Sequence, residues 1–231
     1  MTGVARLVRA RDLDLKSDRG LSLAELLVTM LITGILLTIV GNLFINVAKV
    51  TTNSNASTQR LSVAGNVMDE LSKVIRTATN NAVTSDSSDP AVVSGTPAAL
   101  TIYSYVDANA VSPAPTKVGF RVDASGNLIE DRWTASTSST GYWVFTGSAT
   151  SRTIGSPVQT LTGTDALFIY LDDLGAPLTP GANGLTALQR SAVASIKINV
   201  RILNQTTLKA DPIIVTNTIG MPNLKISKAD N

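Results

Sequence analysis

Residues 19–25, Arg19-Gly20-Leu21-Ser22-Leu23-Ala24-Glu25, lead directly into Leu26 to Ala48, a run with no ionisable side chain. Glu25 is therefore a lone carboxylate at the lip of an apolar segment. Carboxylates near a bilayer core are costly, so one placed there marks a functional site. At about 1.5 Å per residue the run is about 34 Å long as a helix, enough to cross a hydrocarbon core of about 30 Å. Thr29, Thr33, Gly34, Thr38, Gly41, Asn42 and Asn46 interrupt it, and Lys49 closes it.

Charge gives the segment a direction. Residues 1–20 hold five basic side chains (Arg6, Arg9, Arg11, Lys16, Arg19) and three acidic ones (Asp12, Asp14, Asp18). The chain has 19 basic and 17 acidic side chains, so fourteen of each remain after Gly20 and the net charge of +2 lies wholly in the leader. A basic flank stays in the cytoplasm. The expected topology is a single pass through the cytoplasmic (inner) membrane, with residues 1–20 cytoplasmic and the residues beyond Lys49 extracytoplasmic. A balanced mature charge argues against direct nucleic-acid binding, which phosphate contacts dominate. A secretory signal peptide fits poorly, because the apolar run is too long and no small-x-small site follows it. Hydropathy alone leaves open an uncleaved anchor on an extracytoplasmic binding module or enzyme.

The residues around Gly20 resemble the processing site of type IV prepilins and of type II secretion pseudopilins. In that family a basic leader ends in Gly. An apolar residue, Ser or Thr, Leu, any residue and Glu follow, and then an apolar helix begins. Arg19-Gly20, Leu21, Ser22, Leu23, Ala24 and Glu25 supply each element. Leu21 stands where Phe is more frequent, the leader is longer than many, and Gly34 falls where many members have a helix glycine. The resemblance implies cleavage between Gly20 and Leu21 by a membrane prepilin peptidase, and N-methylation of the new Leu21 amine. It implies that Glu25 pairs with the N-terminal amine of a neighbouring subunit during assembly. Its implied partners are membrane lipid, the peptidase, other pilin or pseudopilin subunits and the inner-membrane assembly platform; the implied destination is a periplasmic or extracellular filament. For Glu25 by itself, snorkelling to the headgroups is the other reading.

After Lys49 comes a polar stretch, Thr51 to Gln59, whose Thr and Asn residues have poor helix propensity, so a bend or break there is one expectation. Leu61, Ala64, Met68, Leu71, Ile75 and Ala78 then recur at helical spacing. Arg60, Asp69, Lys73 and Arg76 occupy the opposite face, and Asn80-Asn81 ends the helix. From about Ala98 the period shortens to two. Strands are expected at Leu100–Val106, Lys117–Val122, Leu128–Trp133, Tyr142–Phe145, Val158–Leu161, Leu167–Leu171, Val193–Leu203 and Ile213–Thr218, with Asp123 to Asn127 turning a hairpin. The expected fold class is α+β. A long N-terminal helix, its first half transmembrane, carries an antiparallel sheet head on its second half. The segments are 1–20 leader, 21–50 membrane or filament-core helix, 51–80 amphipathic helix and 81–231 head.

The head sequence from Arg152 to Leu203 is similar, loosely, to J-type minor pseudopilins. That likeness favours a low-copy minor subunit over a major pilin; a DNA-uptake minor pilin is a further alternative, against which the balanced mature charge speaks. Asp172-Asp173-x-Gly175 has the residue types of either a calcium loop or a plain turn; calcium takes six to eight oxygens, and no second acidic cluster lies near it in sequence. The chain has no Cys and no His, which removes thiolate chemistry and the commonest general base and metal ligand. No catalytic function, cofactor or metal is expected.

Overall fold

The computed structural model describes residues 22–106, 114–203 and 211–224. Residues 1–53 and 54–231 form two compact units. Helix α1 (Leu23–Arg76) begins in the first unit, where its side chains are exposed, and contributes its last turns to the second. It runs as helix through residues 51–59, where a break was one expectation. The hydroxyls of Thr51, Thr52 and Thr58 donate to the carbonyls of Val47, Ala48 and Ser54 at 2.9, 2.9 and 3.0 Å. Side chains that could compete with the helix are thus absorbed into it.

The second unit is a β-rich head. In chain order its elements are β1 (Asn81–Ala82), β2 (Ser88–Asp89), β3 (Val92–Gly95), β4 (Ala99–Ser104), β5 (Thr116–Val122), β6 (Leu128–Thr134), β7 (Ser136–Thr137), β8 (Trp143–Val144), β9 (Thr150–Gly155), β10 (Phe168–Leu171), β11 (Pro177–Leu178), α2 (Ala187–Ala192), β12 (Ser195–Ile202) and β13 (Ile213–Gly220). Two antiparallel sheets dominate, ordered β3-β4-β5-β6-β9 and β11-β10-β12-β13. The architecture is the α+β, pilin-like arrangement expected.

One face of the last turns of α1 lies in the core. Ala64, Val67, Leu71, Val74, Ile75 and Ala78 have no exposed surface, and Met68 is buried with them. They join Leu100, Ile102, Val118, Phe120 and Leu128 of the first sheet and Phe168, Tyr170, Ile196, Ile198 and Ile202 of the second. Each large aliphatic buried there contributes roughly 1.5–3 kcal/mol. Leu61, expected on this face, is 55% exposed, because the contact begins one turn later at Ala64. The helix stops at Arg76, short of the Asn pair. Strand β4 takes over its end: the Ser104 hydroxyl donates to the Val74 carbonyl at 2.9 Å, and the Tyr105 amide to the Thr77 carbonyl at 3.0 Å.

The hairpin of β5 and β6 forms as expected, in register from Thr116↔Thr134 to Val122↔Leu128. Its turn is closed by Asp123, whose Oδ1 accepts the Ser125 and Asn127 amides at 2.8 Å each, while Gly126 takes φ 78°. The expected strand at 158–161 does not form. Val158 makes a single bridge to Ile202, and its amide donates to Gly126. The strand beside β6 is β9 instead, mostly polar and exposed, with no apolar alternation to announce it.

The two sheets meet around Tyr170. Its hydroxyl donates toward the carbonyls of Thr96 and Ala99, 3.0 and 2.9 Å away. Burial pushes the phenol far up, so it remains a donor. Gly95 admits that ring: a Cβ there would lie 2.6 Å from Tyr170 Cζ. Gly155, ending β9, does the same for the helix, since a Cβ there would collide with Val67 Cγ2. Across the same contact Glu70 of α1 accepts from Arg132 Nη2 at 2.7 Å and Arg152 Nη2 at 2.9 Å. Both arginines also bind the fully buried Glu130. Four alternating charges thus bridge α1, β6 and β9.

Gly155→Ala should destabilise the detergent-solubilised chain by about 1–3 kcal/mol in denaturant unfolding. Adding Val67→Ala should recover part of that loss, and strict additivity of the two would refute the close contact. Hydrogen bonds, first from the Asn127 side chain and then from its amide, hold the Asp123 carboxyl below its usual range. A folded-state value below the unfolded one gives stability that is present at neutral pH and lost as pH falls through the folded value. By NMR, Asp123 should titrate below the usual aspartate range, and Asn127→Ala should move it upward.

Candidate functional site

The N-terminal turn of α1 is built by the motif itself. Ser22 precedes the first helical residue, and its Oγ accepts the Glu25 amide at 3.2 Å, while its carbonyl takes the Leu26 amide at 3.1 Å. Ser22 is thus the N-cap, satisfying one of the donors that every helix start leaves open. Glu25 stands at the third helical position. There the helix dipole presents positive charge and favours a carboxylate. Ser22-x-x-Glu25 is also a helix-start signature. The capping role of Ser22 was therefore legible in the residue order, although the processing motif alone does not assign it.

Glu25 is exposed, and its carboxylate has no ion pair or hydrogen bond among the described residues. From Leu26 to Val50 every large apolar side chain of α1 is exposed, Phe44 at 75% and Leu37 at 67%. The helix is long and apolar enough to cross a membrane by length and composition. A lone acid capping the start of a bare greasy surface can attract a cation, and the surface can be covered by lipid or by other helices. Gly20 and Leu21, the expected cleavage and methylation positions, lie outside the described residues.

The Asp172-Asp173-x-Gly175 stretch forms a turn. Asp172 Oδ1 accepts the amides of Leu174 and Ala176 at 3.0 and 2.7 Å, closing the hairpin from β10 to β11 around Gly175 at φ 80°. One of its two carboxylate oxygens is thus engaged by the backbone. No group of three His, Cys, Asp or Glu among the described residues is placed to hold a metal. A cavity of about 530 Å³ beside α2 is lined by Asn80, Ser88, Asp173, Arg190 and Ser191 with apolar neighbours. The Arg190 guanidinium there donates to the Val93 carbonyl.

Among known protein families, the prokaryotic N-terminal methylation motif matches residues 15–41. The match spans the end of the leader, the Gly20–Glu25 motif and the apolar run as far as Gly41, and it stops well short of the head. No curated protein matches the chain. The matched motif, the long apolar helix it opens and the antiparallel sheets that follow together resemble the arrangement of type IV pilins and pseudopilins.

Proposed function

We propose that the chain is a minor pilin or pseudopilin, made as a membrane-anchored precursor and built into a type IV pilus-like or type II secretion filament. The observation that carries this is the capped Glu25, without a partner among the described residues, at the start of a membrane-length helix and within the matched motif. The basic leader stays cytoplasmic, and the head is displayed on the other side of the membrane. Cleavage between Gly20 and Leu21 supplies the chemistry that assembly needs. Before cleavage the Leu21 nitrogen is a neutral amide. Afterwards it is an amine with an ordinary pKa of about 8, hence a cation at neutral pH, and N-methylation leaves it cationic.

A new subunit then offers a cation where an older one offers Glu25. Each charge alone is costly in an apolar setting, and pairing offsets much of that cost. The contact is heterologous: one subunit's terminus meets a neighbour's Glu25. Repeated without closing, it generates a helix of subunits. The exposed apolar half of α1 becomes the buried filament core. The choice of a minor subunit rests on the loose J-type likeness of residues 152–203, with major pilin as the second reading.

Intact-mass and N-terminal peptide spectrometry of the chain, co-expressed with prepilin peptidase, should find Leu21 as the first residue, carrying one methyl group. An intact Met1, or a cut beyond Ala48, would refute the reading. Glu25→Ala should be inserted and cleaved normally yet enter sheared filaments about tenfold less or worse, the scale of an uncompensated charge in an apolar interface. Normal incorporation would remove Glu25 from assembly.

A further inference from the structure

Within the apolar run, Thr38, Asn42, Asn46, Lys49 and Asn53 recur at helical steps. At 3.6 residues per turn all five fall within an arc of about 80°. The opposite side at the same depth is Val40, Phe44 and Val47. The members of this seam are not equivalent. The Thr38 hydroxyl is satisfied within its own helix, donating to the Gly34 carbonyl at 2.8 Å. Lys49 ends the run and can extend its ammonium to the headgroups. Asn46 sits one turn below Lys49, near the interface. Asn42 lies about 10 Å below Lys49 along the axis, inside the hydrocarbon layer. It is exposed on α1, and among the described residues its carboxamide has no hydrogen-bond partner.

Lipid tails cannot satisfy an amide, so at that depth the partner has to be another protein group. Resting on the membrane-anchored precursor proposed for this chain, we infer that the seam centred on Asn42 is the face through which two copies of the chain associate side by side in the bilayer. The occupant follows from complementarity. Every copy is inserted by the same leader, so two copies run parallel with Asn42 at one depth. A carboxamide is donor and acceptor at once and therefore matches its own duplicate. Asn side chains bond across membrane helices in this way. Lys49 lies on the same seam at the headgroup level, where its long side chain can reach water and screening is strong.

The chain has no cysteine, so single reporters can be placed in the full-length protein. Thr38→Cys and Ile45→Cys report on the seam, with Asn42 intact; Val40→Cys and Phe44→Cys report on the opposite side. The measurement is oxidative cross-linking in membranes where this chain is the sole pilin-type subunit. Disulfide-linked dimer should be about fivefold more abundant from the seam reporters, and Asn42→Leu should lower it about threefold, the mean scale of one polar contact between membrane helices. Asn42→Gln should restore most of it. Equal yields from both sides, or yields indifferent to Asn42→Leu, would overturn the inference. Co-expressed prepilin peptidase gives a separate readout by gel mobility. A cleaved chain without seam-selective cross-links sinks only this inference, whereas an uncleaved chain sinks the proposed function beneath it.

Discussion

A carboxylate placed where hydrocarbon begins is the constraint from which the N-terminal half of this protein follows. Glu25 is tolerated at the start of α1 because the helix terminus supplies partial positive charge and Ser22 fixes the first turn. Neither neutralises it. In the proposed function, a residual demand for a cation distinguishes this helix from a simple anchor, since Leu26 to Ala48 alone would satisfy any bilayer. In the proposed function, proteolysis next to Leu21 answers that demand by converting an amide into an ammonium. Processing and assembly are then two ends of a single electrostatic event.

The head obeys a different constraint. Its core needs the last turns of α1, because neither sheet can bury its apolar face without them. Ala64, Val67, Leu71, Val74 and Ile75 are spaced for one helix face and meet both sheets at once. Small residues set how closely they meet: Gly155 admits Val67, and Gly95 admits Tyr170. The Glu70–Arg132–Glu130–Arg152 arrangement then ties the helix to β6 and β9 at one place. Buried charges contribute little net stability as a rule, and a defined register is their better-attested use.

Much of this was legible in residue order. Periodicity of 3.6 marked the face from Ala64 to Ala78, and alternation marked β4, β5, β6, β10, β12 and β13, because those elements present one apolar side to the core. The failures have physical causes. Strand β9 is a polar edge, and nothing in Thr150-Ser151-Arg152 distinguishes it from loop. Val158–Leu161 has strand composition, yet Val158 is drawn off by single bonds to Gly126 and Ile202. Leu61 shares the helical spacing but lies one turn outside the region the sheets cover. Helix propensity leaves a bend or a break open at Thr51 to Gln59, yet the helix runs through, with the Thr51, Thr52 and Thr58 hydroxyls bonded back to carbonyls one turn earlier.

The sequence by itself determined the membrane-length run, the processing motif and the acid at its threshold, because each is a local property of consecutive side chains and needs no partner in space. Only the tertiary structure decided where α1 ends, which acidic residues are spoken for and which strand completes the larger sheet. Those outcomes depend on groups far apart in the chain. Ser104 takes the Val74 carbonyl, and Glu130 is enclosed by Arg132 and Arg152. Asp172 looks equally free in sequence, yet one of its carboxylate oxygens closes its own turn, and that bond emerges only once the backbone has folded around it.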